Sequence, residues 1–171
     1  MKKNKISPGQ SGAPALPEGQ IPEIRPGQSV ELLKELHILT REGKLNQDSR
    51  RKLKQVYHLY QFIEKLMNEL PQASGGSFTL ADHGAGKSYL GFILYDLYFK
   101  HLPQSHLYGI ETRAELVDKS RVLAHKLGFD RMSFLNVSVA DSAQSTDLPE
   151  QIDVVTALHA CDAATDDAIA F

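Results

Sequence analysis

The chain has 171 residues, 42% of them hydrophobic, and a formal net charge of −2. This length is enough for one domain with a real core, and the charge argues against nucleic-acid binding over the whole surface but not against a local basic patch. A single cysteine excludes an intramolecular disulfide, and no apolar run follows the basic N-terminus, which excludes a secretory signal. The composition therefore predicts a soluble, cytoplasmic protein in a reducing compartment.

The N-terminal third is predicted to be a tail followed by helices. Residues 1–28 are rich in Pro, Gly, Gln and Ser, which predicts a disordered tail because few apolar side chains are available to bury. A helical extension is expected over 29–72. Its first helix is predicted from an N-cap at Ser29 to a stop at Gly43, and its second begins near Asp48.

The second predicted helix carries two distinct patterns. Apolar residues at spacings of three and four form one stripe: Leu53, Val56, Tyr57, Tyr60, Ile63, Met67 and Leu70. Four cations stand at its start: Arg50, Arg51, Lys52 and Lys54. A charge run at a helix end is usually a solvated face, but it can also contact RNA phosphates, so both interpretations stay open.

From residue 77 onwards the pattern alternates between strands and helices. The predicted strands are SFTLAD, HLYGIE, MSFLNVSVAD and IDVVTALHA. Helices are predicted up to about Lys100, over RAELVDKSRVLAHKLG to Gly128, and after HACD. This alternation predicts an α/β fold with a parallel sheet and right-handed crossovers.

The glycines of LADHGAGKSYL, which follow the first predicted strand, have three interpretations. A Walker phosphate loop requires glycine where Ala81 stands. A dinucleotide fingerprint fits Gly84 and Gly86 but requires a third glycine where Tyr89 stands. S-adenosylmethionine needs a tight turn and a nearby acidic group, but no phosphate cradle. A glycine turn that binds no ligand remains the structural alternative.

The surrounding residues favour S-adenosylmethionine. Asp82 precedes the two glycines, and Lys87 at the start of the next helix suits the methionine carboxylate. Glu111 ends the second predicted strand, where it can accept both ribose hydroxyls, although an exposed Glu at a helix start is the alternative. Asp141, with Ser142 beside it, ends the third and can reach the adenine amino group, unless it is only a turn or cap residue.

Three motifs together resemble class I S-adenosylmethionine-dependent methyltransferases: DHGAGKSYLGFIL, GIETRAELVDKS and HACDAATDDA. They are similar in particular to the group with D-x-G-x-G-K-[GS]-Y-L and H-x-C-D motifs. That group is similar to the methyltransferase-like part of glutathione S-transferase C-terminal-domain-containing proteins and to some rRNA-dimethylase-like proteins. The resemblance covers about residues 77–171 and implies a Rossmann-like sheet with S-adenosyl-L-methionine as cofactor. The implied cofactor residues are Asp82, Gly84, Gly86, Glu111 and Asp141. His83 departs from the family pattern, in which a small residue is common.

The catalytic candidates lie in HACD, which in the resembling fold faces the methyl group and the acceptor. His159 can take a proton from an acceptor nitrogen or oxygen, and Asp162 can orient it or hold the acceptor. Alternatively, Asp162 caps the last helix and His159 packs. Transfer from a sulfonium needs little acid–base help if the acceptor is already nucleophilic, because alignment and desolvation can then suffice. No metal is expected.

The predicted function is S-adenosylmethionine-dependent methyl transfer to an unknown acceptor, with RNA ahead of protein or a small molecule and no membrane partner. A complete sheet of this class has seven strands and four are predicted here, so residues 77–171 are expected to be the N-terminal part of the domain, apparently truncated after the fourth strand and inactive alone. The rivals are a non-catalytic interaction scaffold with the same fold and a nucleotide-binding hydrolase using GKS.

Overall fold

The computed structural model of the chain describes residues 23–70, 77, 79–158, 166, 168 and 169. Most of the predicted tail lies outside these residues, as does HACD with both catalytic candidates, His159 and Asp162. Within the described part, no helix is long and apolar enough to cross a membrane. No group of three or more His, Cys, Asp or Glu among the same residues could hold a metal ion.

The first helix, α1, spans Val30–Glu35 and is shorter than predicted. Its predicted N-cap is correct, since Ser29 Oγ accepts a 3.1 Å hydrogen bond from the Leu32 amide. The predicted extension to Gly43 is wrong. The amides of Ile38 and Leu39 both donate to the Leu33 carbonyl, at 2.8 and 2.9 Å, so the chain turns back after one and a half turns and buries these side chains.

The second helix, α2, spans Gln47–Glu69, as predicted to within one residue. Its N-cap is Asn46, whose Oδ1 accepts from the Ser49 amide at 2.8 Å. The apolar stripe forms the buried face against the third helix. Its most deeply buried members recur every seventh residue: Leu53, Tyr60 and Met67.

Residues 23–28, predicted as the end of the tail, are instead held against α2. The Arg25 guanidinium lies 5.2 Å and 4.6 Å from the ring centroids of Tyr57 and Tyr60. Gln28 is 8% exposed and accepts a hydrogen bond from the Tyr57 hydroxyl. These cation–π and polar contacts offset the entropy lost by ordering the segment.

The sheet contains four parallel strands in the order β3-β2-β1-β4, which confirms the predicted α/β class. The strands are β1 Thr79–His83, β2 His106–Ile110, β3 Met132–Leu135 and β4 Val154–Thr156. The chain moves outward from β1 to β3 and then returns to the other side of β1. The carboxyl ends of β1 and β4 therefore flank the topological switch point, where open α/β sheets bind ligands.

Three further helices connect the strands. They are α3 Tyr89–Leu97, α4 Ala114–Leu127 and the single turn α5 Val139–Ser142. A 3-10 turn at Phe99–His101 replaces the predicted last turn of α3, and Gly128 ends α4 as predicted. In the core between the sheet and these helices, the Phe92 ring lies 6.3 Å and 5.7 Å from the rings of Phe129 and Phe134.

The third strand ends earlier than predicted, at Leu135. The next side chain, Asn136, donates through Nδ2 to the carbonyls of Glu111 and Thr112, at 3.1 and 2.7 Å. This contact fixes the chain to the end of β2, and α5 begins three residues later. Asp141 therefore lies in a helical turn rather than at the end of a strand.

Candidate functional site

The loop between β1 and α3 is built around backbone conformations that favour glycine. Gly84 and Gly86 have φ values of 63° and 58°, in the left-handed region. Ser88 adopts the same region with φ 52°, which is strained for a residue with a β-carbon. The Ala85 amide donates to the Ile110 carbonyl at 3.0 Å, which ties the loop to the end of β2.

Ser88 is the N-cap residue of α3, but its side chain makes no capping bond. Its Oγ is fully buried and has no hydrogen-bond partner among the described residues. A β-carbon at Gly91 would lie 2.6 Å from this Oγ and 3.3 Å from Leu107 Cδ2. Glycine at 91 thus permits the close approach of α3 to β2, and the first turn of α3 lacks a side-chain cap.

Asp82 lies inside β1, opposite Gly109 of β2 and Thr156 of β4. Asp82 is 3% exposed, and its Oδ1 accepts a 2.7 Å hydrogen bond from Thr156 Oγ1. Burial raises the pKa of Asp82 to about 6, and the Thr156 hydrogen bond opposes this only in part. A carboxyl group that is costly to bury therefore sits at the switch point of the sheet.

Glu111 follows β2 and holds the glycine loop. It is 7% exposed, so the exposed-Glu alternative is wrong. Its Oε2 accepts from the Gly86 amide at 2.8 Å, and its Oε1 accepts from the Arg113 amide at 3.0 Å. The Arg113 guanidinium bonds both oxygens, from Nε to Oε1 at 3.0 Å and from Nη2 to Oε2 at 3.1 Å. These bonds, led by the Arg113 side chain, lower the pKa of Glu111 to about 2.

The other predicted cofactor residues are less closely joined to this centre. Asp141 is exposed, and its Oδ2 accepts from Ser138 Oγ at 2.5 Å while Ser138 caps α5. Ser142 is fully buried and donates to the Val139 carbonyl at 2.6 Å. Lys87 is exposed and borders a groove of about 580 Å³ between the end of α1 and α4.

The structure thus joins Gly86 directly to Glu111, with Asp82 one strand away. Two partners escaped the sequence analysis. Thr156 carries the one hydroxyl side chain in the apolar segment IDVVTAL. It contacts Asp82 because the register between β1 and β4 places the two residues opposite each other. Arg113 stands two residues after Glu111. This spacing alone does not distinguish an ion pair with Glu111 from a solvated side chain.

His83 also lies in β1, next to Asp82 in the sequence. Successive residues of a strand point to opposite faces, so the imidazole and the Asp82 carboxyl are directed to different sides of the sheet. The His83 residue is fully buried, and burial lowers the pKa of its imidazole. It is therefore directed away from the face that carries Asp82.

Solved structures with a similar fold include several methyltransferases. An rRNA methylase from Streptococcus thermophilus shares 14% identity with a TM-score of 0.43, over 55% of this chain and 52% of its own. A SAM-dependent methyltransferase from Aquifex aeolicus shares 21% (TM-score 0.37, 47% of this chain, 39% of its own). The CurJ carbon methyltransferase shares 18% (TM-score 0.50, 67% of this chain, 30% of its own). The chain thus spans about half or less of these structures, and at these identities the likeness concerns the fold alone.

No curated protein sequence matches the chain significantly. The family described as "Methyltransferase domain" does match, over residues 51–171. This region includes most of α2, all four strands and the glycine loop, and it is more than half of the chain. The chain therefore belongs to the methyltransferase-domain family.

Proposed function

We propose that the chain is the cofactor-binding part of an S-adenosylmethionine-dependent methyltransferase. The observation that carries this proposal is the hydrogen bond from the Gly86 amide to the Glu111 carboxylate, because it fixes an acidic side chain beside a glycine turn at the ligand-binding edge of the sheet. The cofactor would supply a methyl group already activated by its sulfonium. The chain's own residues bind it, orient it and exclude water.

Glu111 is the proposed partner of the ribose hydroxyls. Its two oxygens already accept five hydrogen bonds, from Gly86, Thr112 and three Arg113 donors, whereas a carboxylate offers about four lone-pair sites. The Arg113 side chain is 62% exposed and its guanidinium is the donor that is easiest to displace. Ribose binding is therefore expected to release the guanidinium while the two backbone amides keep Glu111 in place.

The remaining cofactor contacts follow from the ends of the elements. The uncapped first turn of α3 and Lys87 suit the methionine carboxylate, since a helix N-terminus favours an anion. The buried Asp82 carboxyl is placed to offset the positive charge of the ligand. Asp141 is the proposed acceptor for the adenine amino group. Ser142 joins it only if the α5 turn opens, because its hydroxyl is bonded within that turn.

The chemistry is assigned to the segment after β4, which lies outside the described residues. His159 is proposed to remove a proton from an acceptor nitrogen or oxygen, and Asp162 to orient it or hold the acceptor. This assignment rests on the H-x-C-D motif, and so does the finer grouping with proteins that share the D-x-G-x-G-K-[GS]-Y-L motif. Both belong to the proposal.

RNA is the favoured acceptor class, on the evidence of the cations at the start of α2. Like charges three or four residues apart on a helix repel each other, so the pairs Arg50–Lys54 and Arg51–Lys54 favour compensating anions. Arg50 has one in Glu23, with Nε 2.9 Å from Oε1. The Arg51 guanidinium is more weakly paired, with Nη1 4.0 Å from Asp48 Oδ1. An anionic partner such as an RNA phosphate would complete the compensation.

Calorimetric titration tests the cofactor assignment. S-adenosylmethionine or its homocysteine product should bind the chain, and Mg²⁺-ATP should not. Binding of Mg²⁺-ATP alone would favour the GKS hydrolase, and binding of neither ligand would favour the interaction scaffold. Glu111→Gln is the informative variant, since it removes the charge and keeps the size of the side chain.

A further inference from the structure

A second groove opens beside the candidate site, between α2 and the start of α3. Its volume is about 310 Å³. Its lining comes from four parts of the chain: Ile38 after α1, Lys52, Gln55, Val56 and Leu59 of α2, Tyr89 and Leu90 of α3, and Leu158 beyond β4. The four α2 residues recur at spacings of three and four, so they form one face of that helix.

The groove is continuous along the chain with the groups that surround Asp82. Tyr89 directly follows the strained Ser88 of the glycine loop. Leu158 stands two residues after Thr156, whose hydroxyl donates to Asp82. The groove therefore opens at the same edge of the sheet as the candidate cofactor site, on the side where β4 ends.

The lining suits a flat, neutral ring that is linked to a negatively charged group. Val56, Leu59 and Leu158 offer apolar surface, and the half-buried Tyr89 offers an aromatic ring on which another ring can stack. Gln55 can both donate to and accept from a polar ring edge. Lys52 is exposed, as expected for a cation at a groove rim.

The charge of this groove differs from that of its neighbours. Among the described residues that line it, Lys52 is the charged one and no carboxylate is present. The groove between α1 and α4, by contrast, contains Glu35 and Asp118 beside its lysines.

We infer that this groove is the acceptor site and that it takes one nucleotide of a single-stranded nucleic acid. The base lies between the apolar face of α2 and Tyr89, Gln55 contacts its polar edge, and Lys52 contacts the adjacent phosphate. Base stacking on an aromatic side chain and a cationic rim are the usual means of holding a single strand. The assignment as acceptor rests on the proposed methyl transfer, but binding of the nucleotide does not.

The test measures binding of a fluorescein-labelled single-stranded RNA, and of DNA of the same sequence, by anisotropy at several salt concentrations. Lys52→Ala should reduce the slope of log K against log salt by about 0.7, the value for one lost phosphate contact with a single strand. The matched control is Lys65→Ala, on the same helix and about 20 Å further along its axis. It should leave the slope unchanged. Equal slopes for Lys52→Ala and the unsubstituted chain would overturn the inference.

Photocrosslinking locates the base without relying on a variant. RNA containing 4-thiouridine should crosslink to the peptide that holds Tyr89 or the one that holds Gln55. The inference would be overturned by crosslinks confined to other peptides. It would also be overturned if the chain bound members of a peptide library tightly but bound neither RNA nor DNA. Titration of S-adenosylhomocysteine into the same preparation separates the two proposals. Cofactor binding without nucleic-acid binding contradicts only the groove assignment. Nucleic-acid binding without cofactor binding contradicts the cofactor assignment and the acceptor role of the groove, but not nucleotide binding by the groove.

Discussion

The Gly86 amide and the Glu111 carboxylate are joined by a 2.8 Å hydrogen bond that spans 25 residues of the chain. One side chain thus connects the loop after β1 to the end of β2. Glu111→Ala is expected to lower the free energy of unfolding by about 1–3 kcal/mol, because the partly buried hydrogen bonds from the Gly86 and Arg113 amides to the carboxylate are lost. Thermal or urea unfolding measures this.

The same substitution should also weaken cofactor binding by about 1.5–3 kcal/mol, the range for a hydrogen bond to a charged group. Glu111→Gln separates the two effects, because its amide oxygen can still accept from one backbone amide. It should retain more stability than Glu111→Ala while losing a similar amount of affinity. Normal affinity in both variants would show that Glu111 only holds the loop.

Arg113 is expected to compete with the ribose for the Glu111 carboxylate. Because its side chain is 62% exposed, the ion pair contributes about 0–1 kcal/mol, so Arg113→Ala should bind S-adenosylhomocysteine up to about fivefold more tightly. Lys119→Ala, an exposed position on α4, serves as the control in the same titration. If Arg113→Ala instead loses affinity tenfold or more, then the guanidinium contacts the ligand.

The buried Asp82 predicts a pH dependence of stability. Its pKa is about 6 in the folded chain and close to 3.8 when exposed. The ionised carboxyl therefore lowers the free energy of unfolding above about pH 6, and this loss of stability disappears as the pH falls towards 4. Glu111 has the opposite effect on the pH dependence of stability. Its lowered pKa gives stability that is present above about pH 4.5 and is lost as the pH falls towards 2.

Between pH 8 and pH 5 the effect of Asp82 is isolated by the difference in the free energy of unfolding between Asp82→Asn and the unsubstituted chain, because the lowered pKa values of His83 and His106 affect both proteins. Asp82→Asn should raise the free energy of unfolding at pH 8 by up to about 3 kcal/mol, and its advantage should shrink towards pH 5. It should also weaken binding of S-adenosylmethionine. An advantage that is the same at both pH values would mean that the carboxyl is not buried as an anion.

Close packing at Gly91 is expected to be indispensable for the loop. Gly91→Ala puts a β-carbon 2.6 Å from Ser88 Oγ, which should cost about 1–3 kcal/mol of stability and displace the start of α3. Adding Ser88→Ala removes that oxygen and should recover part of the loss in a double-mutant cycle. Purely additive effects would place the strain elsewhere, for example at the Leu107 side chain.

His159 and Asp162 are predicted to act after cofactor binding. In a protein that contains the complete methyltransferase domain, substituting either by Ala should reduce methyl transfer to an RNA acceptor more than it reduces affinity for S-adenosylmethionine, because both lie beyond the proposed adenosyl contacts. Rates and calorimetric affinities of the same preparations give the comparison. Equal losses of both, together with a lower melting temperature, would indicate that these residues cap and pack.

Parts of this fold that depend on local sequence can be predicted where the local pattern and the global fold agree. The alternation of strands and helices, the glycine loop and the Gly128 cap were all readable because each depends on a few adjacent residues. The ends of α1 and β3 were not. They are set by the Leu33 carbonyl and by the Asn136 side chain, whose partners lie elsewhere in the fold.

The candidate site shows the same division. The position of Glu111 directly after β2 is predictable from the sequence, but its burial is not, because burial depends on contacts with Arg113 and with the glycine loop. Asp141 is predicted at the end of the third strand, but β3 ends at Leu135 and Asp141 lies in α5. Thr156 could be recognised as the partner of Asp82 only once the register between β1 and β4 was known.

The most direct test is calorimetric titration of S-adenosylhomocysteine into the chain and into Glu111→Gln. The unsubstituted chain should bind the ligand, and the variant should lose at least about tenfold in affinity, which corresponds to about 1.4 kcal/mol. Circular dichroism confirms that both are folded. If the folded chain instead binds Mg²⁺-ATP and gives no heat with S-adenosylhomocysteine, the proposed cofactor and the ribose role of Glu111 are both contradicted.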